Sequence, residues 1–425
     1  MTNRKKVVIV GGGFGGIELM KKLRNQDEFE VTLVDKHNYY FFPPLIYQVA
    51  TGFMEPSAIS YPFRKILRNA GNFRFRLGEL KSIDPAANKV ILDNGELPYD
   101  YLVLATGTVA NFFGMKNVEA NALPMKTISD ALAMRNTLLN DFELATRTTD
   151  EAEKKKLLSI VIAGAGPTGV ELAGMFAEMR KNILSKDYPE LAGAGLGQIV
   201  LIDGAPVVMA PMSPEAQQYT AEKLQEMGVQ IVLNKTVKDF VNDTVVLSDG
   251  STFSTKNLIW AAGVTSLVFE GLPKEAYGRG KRLLVDGFNR LQGYENIFAI
   301  GDTALMTADA NWPDGHPQLA QPSIQQATNL GNNLRKPQAE WKPFVYNNKG
   351  SMAIIGSNKA VADIPKTIHL KGFPAWFIWV FIHIMSLVTY KNRVRALYNW
   401  IGYYFRKDQS FRMIIQPTKK VGEGK

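Results

Sequence analysis

One arrangement occurs twice in this chain and limits its fold more than any other feature. Val7-Val8-Ile9-Val10 is a short run of β-branched residues, as in a strand buried within a parallel sheet. Gly11-Gly12-Gly13-Phe14-Gly15-Gly16 follows, then apolar residues at helical spacing to Leu23, then a second strand, Val31-Thr32-Leu33-Val34, ending on Asp35. The order returns as Ile160-Val161-Ile162-Ala163, Gly164-Ala165-Gly166-Pro167-Thr168-Gly169, a helix from Val170 to Met179, and Ile199-Val200-Leu201-Ile202 ending on Asp203. Glycines at this spacing let the backbone turn tightly and approach a pyrophosphate, which rests on the helix N-terminus. The terminal acid is placed for a ribose hydroxyl. Asp35 lies 19 residues past Gly16; Asp203 lies 34 past Gly169, and the excess matches an insert, Ser185 to Gly197.

Two such copies predict an α/β chain with two Rossmann-like dinucleotide-binding domains, one for a flavin and one for a nicotinamide. No arginine lies near Asp203 to receive a 2′-phosphate, so NADH is expected over NADPH. Two further stretches fit a flavin domain split by the second fold. Leu102-Val103-Leu104-Ala105-Thr106-Gly107 is a strand ending in a small-residue turn, and Tyr294 to Asp302 is a strand that delivers an aspartate after glycine. Both resemble secondary motifs of two-dinucleotide-domain flavoprotein reductases, in which the aspartate holds the ribityl chain of FAD. Asp302 would suit a helix N-cap equally. Pro322 then fits the first turn of a helix continued by Ala327, Leu330 and Leu334. Its positive N-terminus would stabilise negative charge on a reduced flavin. Gln321 and Gln325 share a face of it, as they would also on a plain solvated helix.

Composition removes several alternatives. The 425 residues suffice for two or three domains, and the chain has no cysteine, which excludes disulfides, thiolate metal sites and cysteine nucleophiles. Four histidines without ligand spacing give no reason to expect a metal. The apolar run Val7 to Val10 is too short for a secretory leader, so a chain in or facing the cytosol is expected.

The C-terminal end is of another kind. Gly372 to Tyr390 is 19 residues without a charge, around Phe373-Pro374-Ala375-Trp376-Phe377-Ile378-Trp379-Val380-Phe381-Ile382-His383-Ile384. As one helix it would measure about 28 Å, close to the ~30 Å of a bilayer core. Its composition favours lying in the interface instead. Trp376, Trp379, His383, Ser386 and Tyr390 fall on one side, and Phe377, Phe381, Ile384, Met385 and Val388 on the other. Beyond it, Val394, Leu397, Tyr398, Ile401, Tyr404 and Phe405 form an apolar stripe opposite Asn392, Arg395, Asn399, Arg406 and Lys407. After Tyr390 there are nine basic residues and two acids, which leaves +7 of the chain's net charge of +9 in this tail. Together these predict two interfacial helices on anionic lipid rather than a nucleic-acid contact. A buried dimer helix and a solvated tail are the alternatives.

Taken whole, the chain resembles the type II NADH:quinone oxidoreductases, single-subunit respiratory flavoenzymes that pump no protons. The carrying stretches are VVIVGGGFGGIEL, DKHNYYFFPPLIYQVATG, LATG, IVIAGAGPTGVELAG, WAAGV, IFAIGD and AQPSIQQA. The family's quinone signature appears as Ala320-Gln321-Pro322-Ser323-Ile324-Gln325, with Ser323 in place of an alanine. The resemblance implies noncovalent FAD on Gly11, Gly13, Phe14, Gly16, Asp35, Lys36, Thr106, Gly107, Asp302, Ala320 and Gln321. It implies NADH on Gly164, Gly166, Gly169, Glu171, Asp203 and Gly263. It further implies a quinone acceptor (menaquinone or ubiquinone), with Gln321 and Gln325 lining the pocket and Glu171 supplying or relaying protons. Glu171 would lie in the first turn of its helix, where the dipole favours a carboxylate in any case. Lys391 would be a headgroup anchor or stand beside the quinone entrance. A homodimer peripheral to the cytoplasmic face of the membrane is expected. The domains would be 1–112 with 265–345 for FAD, 113–264 for NADH, and 346–425 for membrane association. The other readings are a soluble reductase of the ferredoxin-reductase or apoptosis-inducing-factor type and a redox-signalling flavoprotein with low quinone activity.

Overall fold

Each glycine run follows the central strand of a five-stranded parallel sheet. The computed structural model describes residues 4–68, 70–191, 197–365, 368–406 and 411–415. It divides into two compact units: Met1–Phe41, Ser60–Val109 and Val264–Lys349 in one, and Phe42–Ile59, Ala110–Gly263 and Gly350–Lys425 in the other.

In the first unit the strand order is Ile297–Ala299, Tyr101–Leu104, Lys5–Val10, Phe29–Asp35, Phe73–Leu77. Val7 to Val10 are all buried, which is why the run carries no alternation. The helices Phe14–Leu23 and Ala320–Leu334 pack against each other. A small antiparallel sheet, Leu80–Asp84, Lys89–Leu92 and Gly95–Pro98, is appended.

The second unit repeats the plan with Leu123–Pro124, Asn257–Trp260, Ile160–Ala163, Ile199–Ile202 and Val229–Val232, and carries a matching antiparallel sheet at Val237–Ser254. A third sheet, Ser351–Gly356, Lys359–Ile364 and Ile368–Lys371, lies against the helix Pro167–Met179. Gly174 makes that approach possible, because a Cβ there would stand 1.7 Å from the Ile355 carbonyl oxygen.

Three expectations change. The expected insert Ser185 to Gly197 begins as a continuation of the helix, with a π turn at Arg180–Leu184, then Ser185–Asp187 and a 3₁₀ turn at Pro189–Leu191; residues 192–196 lie outside the described residues. The region 346–425 is not separate from the nucleotide fold of the second unit, and Phe42–Ile59 also belongs to that unit. The uncharged C-terminal run is not one helix. It forms Phe373–Ser386, breaks at Leu387, and resumes as Tyr390–Arg406. Fourteen residues span about 21 Å, and among the described residues no helix is long and apolar enough to cross a membrane.

Candidate functional site

The two glycine loops are superposable in their logic. Gly11 has φ +104° and Gly164 +105°, a left-handed backbone that favours glycine. A Cβ at Gly11 would stand 2.3 Å from the Ala105 carbonyl oxygen, and one at Gly164 2.4 Å from that of Ala261. At the last glycine, a Cβ on Gly16 would meet Gly11 O at 1.9 Å and one on Gly169 would meet Gly164 O at 1.8 Å. Only the middle glycines differ from this crowding: among the described residues no atom lies within 4 Å of a Cβ built on Gly13 or Gly166. No described residue fills the space over the middle glycine, at the helix N-terminus, where a pyrophosphate needs backbone N–H groups and no side chain. The residues therefore fit a dinucleotide in each unit.

The strand-end acids also repeat. Asp35 accepts from the backbone N–H of Gly12 (2.7 Å) and of His37 (2.8 Å), while Asp203 accepts from Ala165 (2.5 Å) and Ala205 (2.8 Å). Each carboxylate thus closes its own glycine turn and keeps lone pairs for a ribose. Burial raises the pKa of Asp35 above the usual carboxylate value, against the pull of its two backbone bonds. Lys36 beside it is exposed, and Phe14 stands edge-on to Tyr40 at 6.2 Å.

Around the flavin cradle, Thr106 Oγ1 and Thr303 Oγ1 are 3.5 Å apart, and Gly107 has φ +65°. Gly301, at φ +73°, donates its N–H to Gln326 Oε1 (2.7 Å), and a Cβ on it would meet Ser323 Oγ at 2.6 Å. Gln326 in turn faces His316 Nδ1 (3.4 Å), whose Nε2 lies 3.0 Å from Asp309. This buried chain braces Asp302, whose carbonyl accepts from Ser266 and Gln318. The helix beginning at Ala320 has no acid in its first turn, so its N-terminal positive charge is not offset there. Gln321 accepts from the N–H of Lys349 (3.0 Å) and the hydroxyl of Tyr346 (3.4 Å), and Gln325 makes two bonds with the backbone of Asn347. They share a face as expected, and both use their amides to hold residues 346–349.

In the second unit, Glu171 departs from its expected setting. It is the fifth residue of the helix Pro167–Met179, in the second turn, and the first turn carries no acid. It is buried and accepts from the N–H of Ile354. Burial holds its pKa well above the usual carboxylate range, against the pull of the Ile354 N–H. Glu178, two turns on, accepts from Ser357. Tyr47 is buried, its hydroxyl pKa pushed up by burial and then by Glu171; it accepts from Gln48 Nε2 (3.0 Å), and Gln48 Oε1 accepts from the indole N–H of Trp400 (2.9 Å). Sequence reasoning missed this pair, although a glutamine inside the apolar run Leu45 to Ala50 was a visible signal. Gly263 follows the strand Asn257–Trp260, and its carbonyl accepts from Asn111 (3.0 Å).

The C-terminal helices carry apolar side chains on the outward face as well as the inward one. Trp379 is buried and stacks on His383 at 3.9 Å, while Phe377 and Phe381 are each 59% exposed. Burial lowers the pKa of His383 to about 4, so it is neutral. In the second helix Asn392 is buried and donates to the carbonyls of Ser57 (3.0 Å) and Ala58 (2.9 Å), while Val394, Leu397, Tyr398, Ile401 and Tyr404 face outward. The inward face carries Ala375, Trp379, Leu387, Ala396 and Trp400 with the polar Asn392, and a second apolar face looks outward. Lys391 is exposed; the side chains of Phe405 and Arg406, and all of Lys407, lie outside the described residues.

Residues 5–327 match the family of pyridine nucleotide-disulphide oxidoreductases, and residues 348–407 match the NDH2 C-terminal domain. The type II NADH:quinone oxidoreductase NdhA of Mycobacterium tuberculosis is 36% identical over 93% of this chain and 86% of its own length. Ndh of the same organism is 34% identical over 93% and 87%. The external NADH-ubiquinone oxidoreductase 2 of Saccharomyces cerevisiae mitochondria is 28% identical over 95% and 81%. Among solved structures, NDH2 from Plasmodium falciparum in complex with NADH has the same fold, with TM-score 0.89 and 22% identity over 97% of this chain and 100% of that one. A sulfide:quinone oxidoreductase from Aquifex aeolicus shares the architecture at TM-score 0.70 and 22% identity, over 95% and 96%.

Proposed function

The chain belongs to the type II NADH:quinone oxidoreductases, and we propose that it transfers a hydride from NADH to noncovalent FAD and two electrons onward to a membrane quinone, without proton pumping. The observation that carries this reading is the pair of matched glycine cradles, each left open at its middle glycine. FAD, when bound, supplies the chemistry that converts a hydride into electrons a quinone can take. The residues of the chain do the rest. Gly11 to Gly16 and Asp35 would hold the flavin's pyrophosphate and ribose, and Gly301, braced by Gln326, would keep Asp302 in place. Gly164 to Gly169 and Asp203 would hold NADH, and the Asp203 carboxylate would repel a 2′-phosphate.

Reduction of a quinone consumes two protons. Glu171, its pKa raised by burial toward the protonated form, would deliver one of them. Gln321 and Gln325 would serve the quinone half-reaction by shaping the pocket through the segment 346–349 they hold, with their own amides engaged. The outward apolar faces of Phe373–Ser386 and Tyr390–Arg406 would lie in the lipid interface, with the basic tail on anionic headgroups. The enzyme would be a homodimer peripheral to the cytoplasmic face of the membrane, a reading that the family resemblance supports.

Steady-state NADH oxidation with and without a short-chain quinone tests the proposal. Turnover should depend on quinone and be indifferent to oxygen. NADH oxidation that ignores quinone would return the chain to the class of soluble flavin reductases.

A further inference from the structure

In the second unit, Phe113 stands out on three counts. Its backbone is left-handed at φ +51°, a conformation that is costly for a bulky side chain and persists where the surrounding structure enforces it. The residue is 62% exposed. Its ring nevertheless has a fixed seat: a Cβ built on Gly263 would stand 2.8 Å from Cζ of Phe113, so the glycine leaves the room that the ring occupies.

Asn111 enforces the backbone. Its Oδ1 accepts from the N–H of Phe113 (2.9 Å), its N–H donates to the Gly263 carbonyl (3.0 Å), and its own carbonyl accepts from the indole N–H of Trp260 (2.8 Å). Phe112 stacks on Trp260 with centroids 5.6 Å apart, whereas Phe113 meets the same indole edge-on at 6.4 Å. Phe112 thus packs the loop down, and Phe113 presents its ring to solvent.

The place of that ring follows from the sheet order. Ile160–Ala163 has Ile199–Ile202 on one side and Asn257–Trp260 on the other. A dinucleotide with its pyrophosphate over Gly166 crosses the carboxyl ends of these strands. With the adenosine ribose on Asp203, at the end of Ile199–Ile202, its other half runs toward the end of Asn257–Trp260, where Gly263 and Phe113 stand. In NADH that half carries the nicotinamide ring, and an aromatic face is a favourable surface for a flat ring to stack on.

We propose that Phe113 is a stacking residue for the nicotinamide half of NADH, held in position before the substrate arrives; this rests on the reading that the second unit holds NADH. The Asn111 bonds and the Gly263 seat order the ring in advance, which lowers the loss of side-chain freedom on binding.

The test is titration calorimetry on the full-length, FAD-loaded protein with two ligands that do not reduce the flavin: NAD⁺, and ADP-ribose, which lacks only the nicotinamide ring. Phe113→Asn suits the left-handed backbone and removes the aromatic face. It should melt close to wild type, because a mostly exposed side chain is lost and the backbone strain is relieved. It should bind NAD⁺ about three- to tenfold more weakly and ADP-ribose as wild type does. Phe113→Tyr should bind both ligands as wild type does. In anaerobic stopped flow, the NADH concentration that half-saturates flavin reduction should rise in Phe113→Asn by the same factor. Unchanged NAD⁺ binding would overturn the role of Phe113. Equal weakening of both ligands, with a lowered melting temperature, would make the ring a packing element and overturn it too. Gly166→Val fills the open space at the pyrophosphate and should abolish binding of both ligands. Both ligands bound as in wild type would place NADH elsewhere, and the inference would fall with that reading.

Discussion

Glu171 became a functional candidate through the family resemblance, and the sequence set it in the first turn of its helix. An acid in the first turn is favoured as a carboxylate by the dipole; in the second turn and buried, the same acid has its pKa raised by desolvation. Two consequences follow from a raised pKa. A free glutamate gives up its proton at about pH 4.3. Between that value and its raised folded value, the folded chain binds a proton that the unfolded chain does not, so this group's contribution to stability is full below the lower value and falls as pH rises. Glu171→Gln keeps an acceptor for the Ile354 N–H and removes the penalty. It should melt higher than wild type at neutral pH, with the difference vanishing toward pH 4, as calorimetry across pH would show. It should also slow quinone turnover about tenfold or more while flavin reduction by NADH stays near wild type; normal turnover at every pH would leave Glu171 with a packing role only. Asp203 is the second residue-scale case. Asp203→Asn retains an acceptor for the loop and removes the charge, so the ratio of kcat/KM for NADPH to that for NADH should rise by about tenfold, a difference of about 1.4 kcal/mol. An unchanged ratio would remove Asp203 from cofactor selection. Gln48 stood out as a polar residue inside an apolar run, but its partners Tyr47 and Trp400 were not legible, because such a residue shows its environment only once its neighbours are in place.

At the scale of elements, the strands and helices next to the glycine loops could be read directly, since β-branched runs and glycine spacing specify both the element and its partner. The C-terminal pair could be read only in part. Its apolar content was plain; the break at Leu387 was not, although Thr389 followed by Asn392 carries an N-cap signal, and Asn392 does donate its N–H to Thr389 Oγ1 (3.2 Å). Which face turns inward was also hidden, because Asn392 reads as solvated until the carbonyls of Ser57 and Ala58 stand opposite it. The contact of the third sheet with the helix Pro167–Met179 depends on one glycine. Gly174→Ala should lower stability by about 3 kcal/mol through a backbone clash with Ile355, read by denaturant unfolding. A loss below about 0.5 kcal/mol would mean that the strand yields without strain.

For the whole molecule, the two nucleotide folds were predictable as a repeat, whereas the course of the chain between units was not: nothing in the residues of Phe42–Ile59 marks them as part of the second unit. Removing the chain from Phe373 onward would expose the surfaces that Trp379, Leu387, Ala396 and Trp400 cover, so it is a poor test of docking. Phe377→Asp with Phe381→Asp changes only outward side chains. That variant should stay folded and lose most of its binding to anionic vesicles in a sedimentation assay; retained binding would assign the apolar face to another protein surface. The central claim concerns two half-reactions in one chain. They are separated most directly by anaerobic stopped-flow absorbance of the purified flavoprotein, mixed first with NADH and then with a short-chain quinone. The expected record is rapid bleaching of the flavin by NADH, followed by full recovery on quinone addition at a rate at least equal to steady-state turnover. Bleaching that quinone does not reverse, with recovery only on admitting oxygen, would contradict an NADH:quinone oxidoreductase.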